Sequence, residues 1–220
     1  MKRTSCLVIT VMLILLFVTG CSTKNEDSGK GSEVLPQTSD EIVAQNDAAV
    51  SSEANSSHFV VNGDTIQLDT IYIMSGKISV LLPTDFSIMS EEMAKMKYPT
   101  ENRPSIIYTN NSGSVNIAFS YTQNQASSEN IQAITDAMKE SFKNLYPSAQ
   151  WYTSEVKSIN SKDIGVLELI TPAIDTEIYN LMWFTDLDGK LMIVTFNCTK
   201  EQMDDWKPVG EVILSSFKLK

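Results

Sequence analysis

Glu177-Ile178-Tyr179-Asn180-Leu181-Met182-Trp183-Phe184-Thr185, then Asp186-Leu187-Asp188-Gly189, then Lys190-Leu191-Met192-Ile193-Val194-Thr195-Phe196: this stretch decides the architecture. Successive side chains of a strand point to opposite faces. Ile178, Met182 and Phe184 therefore point one way, and Tyr179, Leu181 and Trp183 the other. The run from Leu191 to Phe196 is likewise apolar on both faces. Asp188-Gly189 between the runs is a strong two-residue hairpin signal, because both positions take φ > 0. An antiparallel sheet with one wet face alternates apolar and polar residues. These strands do not, so they are expected to be covered on both sides, which asks for helices on each face of the sheet.

Working outward, Gln150 to Ile159 and Ile164 to Ile170 read as two more strands. Before them, Ile131, Ile134, Met138 and Leu145 recur at helical spacing within a helix from about Ser128 to Tyr146, ended by Pro147. Ser105 to Thr109 and Ser114 to Thr122 pair across Asn110-Asn111-Ser112-Gly113. Ser90-Glu91-Glu92 starts a short helix that ends near Tyr98, before Pro99. Further back, Phe59-Val60-Val61 and Asp64 to Leu68 flank the turn Asn62-Gly63. Ile71 to Met74 follows, and then Lys77 to Leu82, a strand stopped by Pro83. The closing helix begins at Thr199, whose pairing with Gln202 fits a capping box. Pro208 is expected to break or kink it, leaving a second segment with Val209, Val212, Ile213 and Phe217. The expected fold is α+β, an antiparallel sheet with helices on both faces.

Leu81-Leu82-Pro83 with Asp85-Phe86, the central amphipathic helix, four strands in hairpins and the closing Ser216-Phe217-Lys218 resemble the PsbP-like fold. That resemblance covers about residues 77–220. It implies an α/β/α sandwich shared by PsbP, the Mog proteins and many bacterial lipoproteins. It implies no catalytic residue, since members have divergent partners and are mostly not enzymes. Fold likeness alone does not license a function.

At the other end, Lys2-Arg3 precedes an apolar run from Leu7 to Val18, interrupted only by Thr10. A transmembrane helix needs about 20 apolar residues, so this run is short for an anchor and suits a cleaved secretory signal. Val18-Thr19-Gly20-Cys21 resembles the lipobox of bacterial lipoproteins. The resemblance implies removal of residues 1–20 and a diacylglyceryl group, carrying acyl chains of the palmitate class, on Cys21. Residues 21–57, rich in Ser, Asn, Asp, Glu and Gln, are expected to be a disordered tether. Residues 58–220 are expected to be one PsbP-like domain. The location implied is the extracytoplasmic face of a bacterial cell membrane, with the lipid on Cys21 as the membrane partner.

Lys and Arg number 17 and Asp and Glu 27, for a net charge of −10. Removing the signal takes away Lys2 and Arg3 and no acid, two positive charges fewer, so the mature charge is −12. Such a surface repels nucleic acid and anionic headgroups, so no nucleic-acid partner is expected and lipid must hold the chain at a membrane. Of the three cysteines, Cys6 lies in the signal and Cys21 carries lipid. Cys198 then has no partner for an intramolecular disulfide.

Candidate chemistry is sparse. His58 is the single histidine, which excludes a His-Glu-x-x-His zinc site, and there is no Gly-x-Ser-x-Gly nucleophile elbow. Cys198 precedes a helix start, where a thiol can become acidic, but free cysteine is more often buried and inert. Asp186-Leu187-Asp188-Gly189 starts like a calcium loop, yet Lys190-Leu191-Met192 replaces the later oxygen donors. Met89, Met93 and Met96 fall at helical spacing. They suit core filling or a pliable contact surface better than a Cu(I) site. The expectation is a binding or scaffolding module with no catalysis, no cofactor and no metal. Its contact surface would centre on those methionines and meet a protein partner. The alternative is a carrier for a hydrophobic small molecule or lipid.

Overall fold

The structure, a computed structural model, describes residues 58–61 and 63–220. The lipobox with Cys21, the residues assigned to the tether, and Asn62 lie outside the described residues.

The described strands are β1 (His58–Val61), β2 (Asp64–Ile73), β3 (Ile78–Pro83), β4 (Ser87–Ile88), β5 (Ile106–Thr109), β6 (Asn116–Gln125), β7 (Gln150–Ile159), β8 (Lys162–Pro172), β9 (Glu177–Leu187), β10 (Lys190–Thr199) and β11 (Lys218–Leu219). The helices are α1 (Glu91–Lys97), α2 (Ile131–Leu145) and α3 (Met203–Ser216), the last two each entered through one 3₁₀ turn. Seven strands form an antiparallel sheet in the order β4-β5-β6-β10-β9-β8-β7, and four form a second sheet in the order β1-β2-β3-β11.

Strand register shows how the large sheet divides its faces. Ile107, Ala118, Thr195, Met182 and Leu167 lie opposite one another from β5 to β8 and so share one face. There Leu167, Leu169, Met182, Phe184 and Ile193 receive Ile134, Met138 and Phe142 of α2. Ile107 and Ala118 receive Met93 and Ala94 of α1. The opposite face carries Ile117, Phe119, Val166, Trp183, Val194 and Phe196, packed with Trp206, Val209 and Ile213 of α3. Leu68, Ile78, Val80 and Leu82 of the small sheet join that same core. The doubly apolar reading of β9 and β10 therefore holds: Tyr179, Trp183, Phe184, Met192, Val194 and Phe196 are all fully buried.

Local chemistry explains the element ends. The Ser90 Oγ accepts the Met93 N–H at 3.2 Å and caps α1. Asp188 and Gly189 both have positive φ (53° and 76°), the backbone that a tight hairpin turn needs. Ile71 to Met74 is not a separate strand, because β2 runs unbroken to Ile73 against β3.

Pro208 corrects the sequence reading more sharply. It sits inside α3, which continues from Met203 to Ser216 without dividing into two segments. Proline removes the N–H that would bond to the carbonyl four residues back, here that of Asp204. Both Pro208 and Asp204 are exposed, so water can serve that carbonyl while the buried side of α3 stays packed. The chain end also adds what periodicity did not show: β11 pairs with β3. Just before it, at the end of α3, the Ser216 Oγ accepts the Leu81 N–H at 2.9 Å.

Candidate functional site

The methionines do not form one surface. Met89 precedes the helix and is 6% exposed, packed with Tyr98, Ile107 and Ala118. Met93 is half-buried against the same cluster, and Met96 alone projects outward, 45% exposed. The reason is that Ser90 caps α1, so Met89 follows extended rather than helical geometry and turns inward. The expectation of a three-methionine contact surface is corrected to a single exposed methionine.

A cleft of about 330 Å³ lies instead between α3 and the β7–β9 end of the large sheet. Thr153, Lys157 and Ile159 of β7, Val166 and Glu168 of β8, and Leu181 of β9 form its floor, and Glu211, Leu214 and Ser215 of α3 its side. A β-bulge creates that floor. Trp151 lies opposite Leu169 and packs under α2, whereas Thr153 lies opposite Glu168, on the α3 face. The extra residue reverses which side chains face α3, the way bulges re-aim residues at sheet edges.

The bulged residue, Tyr152, is half-exposed and turned toward α3. Lys207 Nζ lies 5.1 Å from its ring centroid, and its hydroxyl donates to Met203 Sδ at 3.9 Å. Glu211 lines the cleft, and Lys207, one helical turn before it, bridges Tyr152 and Glu168 beside it.

The polar centre is Glu168, 7% exposed on β8, the strand next to the edge strand β7. Its Oε1 accepts the Tyr179 hydroxyl at 3.0 Å and Lys207 Nζ at 2.5 Å. Lys207 Nζ also lies 3.8 Å from Glu211 Oε1. Burial acts to lower the Lys207 pKa, but the bond to Glu168 and the two carboxylate charges outweigh it and raise the net value. The Tyr179 phenol is pushed up by burial first, and then by the Glu168 charge and hydrogen bond. It is a neutral donor at all physiological pH. A buried carboxylate is tolerated only with such partners.

The remaining candidates are accounted for locally. Cys198 is 1% exposed within the α3-side core, and burial pushes its thiol up to about 12. A thiol held protonated in this way is a poor nucleophile. His58 is exposed at the start of β1. Asp186 pairs with Lys162 at 2.7 Å and Asp188 with Lys77 at 2.6 Å, so the calcium-like run is a hairpin turn with lysine counter-charges. Among the described residues, no three or more His, Cys, Asp or Glu side chains are grouped to hold a metal ion, and no helix is long and apolar enough to cross a membrane.

Sequence reading missed Glu168, Lys207 and Glu211 because they share no motif and lie on separate elements. One signal was available. Glu168 interrupts the apolar Ile164–Ile170 run, in a strand whose neighbour is apolar on both faces. A second unforeseen polar feature crosses the opposite face of the sheet. Thr109 Oγ1 donates to Asn116 Oδ1 at 2.7 Å, and Asn116 Nδ2 to Asn197 Oδ1 at 3.0 Å. All three are buried, and they fix the register of β5, β6 and β10.

No protein-family model matches the chain, and no curated protein matches it. Solved structures do. The solution structure of cyanobacterial PsbP (CyanoP) from Synechocystis sp. PCC 6803 is similar with a TM-score of 0.51 and 13% identity, covering 70% of this chain and 92% of that one. LpqN, involved in cell envelope biogenesis of Mycobacterium tuberculosis, is similar at a TM-score of 0.43 and 10% identity, covering 70% of this chain and 91% of that one. At 13% identity the likeness to CyanoP speaks to architecture alone. The fold of this chain is PsbP-like: α+β, with an antiparallel sheet and helices on both faces.

Proposed function

We propose that the chain is an extracytoplasmic binding module, held at a bacterial membrane by lipid on Cys21 and without catalysis of its own. The binding element in this reading is the cleft beneath α3. The observation that carries it is the buried Glu168, which faces an open cleft, with both of its protein donors on one carboxylate oxygen. Convergent polar groups in a partly apolar pocket are the usual form of a small-molecule site. At about 330 Å³ the cleft is near the lower end of the range of about 300–1,000 Å³ for such sites. Its carboxylates favour a small polar ligand over the hydrophobic cargo of the alternative reading. The burial of Cys198, the only thiol among the described residues, supports binding over covalent chemistry.

The test is untargeted mass spectrometry of small molecules released from the full chain purified from its own membranes, beside the Ser215→Phe variant. Phenylalanine at this exposed position on the cleft wall fills the cavity without entering the core. A compound recovered with the native chain and lost from the variant is the expected result. Identical small-molecule profiles from the two proteins would remove the cleft as the binding element.

A further inference from the structure

We infer that the α3 cleft is built for a small organic ammonium ion, an amine carried on a short apolar body, with Glu168 and Glu211 as its counter-charges. The inference deepens the binding reading above and rests on it.

The first ground is the use of the Glu168 oxygens. Both of its hydrogen-bond donors, Tyr179 and Lys207, converge on Oε1. Oε2 takes no hydrogen bond among the described residues, although the residue is more than nine-tenths buried and lines the cavity. Oε2 therefore faces the water of the cleft, where an ammonium group, with up to three donors, can take the place of solvent.

The second ground is local charge. Lys157 at the rim already pairs with Glu155 at 3.0 Å. Lys207 stands alone against Glu168 and Glu211, so the centre holds one uncompensated negative charge. That balance fits a monovalent cation and repels carboxylates and phosphates. A hard dication would need six or more oxygen ligands, and two carboxylates beside a lysine ammonium do not provide them. The net negative charge of the whole chain also raises the local concentration of cations.

The third ground is the wall. Ile159, Val166, Leu181 and Leu214 surround the carboxylates with apolar surface, while Thr153 and Ser215 add hydroxyls. A bare inorganic cation gains nothing from that surface. A short alkyl or aryl body bearing the ammonium buries there while its head meets Glu168 and Glu211.

The experiment is isothermal titration of the full chain with n-butylammonium chloride, butan-1-ol and sodium butyrate at one ionic strength. The ammonium ion is expected to bind at least tenfold more tightly than the alcohol, and butyrate not at all. Glu168→Gln should weaken butylammonium at least tenfold. Should that variant fail to fold, Glu211→Gln carries the test, because its side chain is 55% exposed and its loss leaves the core untouched. It should weaken the ammonium several-fold and leave the alcohol unchanged. Preference for the alcohol or for butyrate would overturn the ammonium assignment while leaving the cleft a binding site. Equal ammonium affinity in the native chain and Glu211→Gln would overturn it too. Absence of heat with all three probes would overturn both the assignment and the binding reading.

Discussion

Thr135 of α2 lies so close over Gly165 of β8 that a Cβ on Gly165 would fall 1.9 Å from the Thr135 Oγ1. That hydroxyl is committed, donating to the Ile131 carbonyl at 2.8 Å in a buried position. On the opposite face, a Cβ on Gly210 of α3 would meet the Phe196 ring at 2.7 Å. Both long helices therefore approach the sheet through a glycine, one in the strand and one in the helix. Gly165→Ala is expected to cost about 2–3 kcal/mol, since overpacking a tight contact forces backbone or rotamer shifts. Gly210→Ala should be destabilising as well, although alanine favours a helix by about 1 kcal/mol over glycine. Chemical denaturation measures both, and a stabilised Gly165→Ala would contradict the described packing.

The Glu168–Lys207 pair should behave as a partly buried unit. Lys207→Met leaves the carboxylate with Tyr179 as its remaining hydrogen-bond donor and is expected to cost about 2 kcal/mol. Adding Glu168→Gln should recover part of that loss, because the uncompensated charge is gone. A double-mutant cycle on urea midpoints reads the coupling, expected at about 1–2 kcal/mol. Strict additivity would mean that the pair contributes nothing together.

Alkaline pH should destabilise the domain in a defined order. Burial raises Cys198 from 9.0 to about 12 and Tyr98 from 10.0 to about 12. A group whose folded pKa lies above its unfolded value contributes fully below the unfolded pKa, and its contribution fades as pH rises through the folded one. The Cys198 loss thus starts near pH 9 and the tyrosine losses near pH 10. Lys207, raised by its carboxylates, adds to the decline above its ordinary 10.5. Cys198→Ala should lower stability at neutral pH yet flatten the pH dependence between 9 and 10. Unchanged steepness in that window, followed by thermal melting, would show the thiol to be no part of it.

Met89 and Met96 are expected to differ in kind. Met89→Ala removes a buried side chain and should cost about 2–4 kcal/mol. Met96→Lys, at a site 45% exposed, should change stability by less than about 0.5 kcal/mol. Similar costs at the two positions would conflict with the inward turn before Ser90.

Cys21→Ser tests the anchor. Metabolic labelling with a fatty-acid analogue should vanish, while the melting transition of the folded part stays in place. Persistent labelling of the variant would place the lipid on another residue.

The sequence by itself determined most of the secondary structure and the layering. Tyr179 to Trp183 and Leu191 to Phe196 are apolar on both faces, and only a doubly covered strand makes that pattern stable. Asp188-Gly189, Ser90 and Pro147 marked ends through local backbone chemistry, which needs no distant partner. Tertiary structure alone decided the site. The bulge between Trp151 and Thr153 leaves no periodic trace, yet it aims Thr153 and Lys157 at α3. Glu168, Tyr179, Lys207 and Glu211 come from three elements spread over more than forty residues, and no local rule joins them. Pro208 likewise reads as a break from its own ring geometry, and α3 overrides it because its buried face is held by the sheet. Short-range propensity is written along the chain. Burial and charge pairing arise only when β8, β9 and α3 pack, and there the cleft acquires its chemistry.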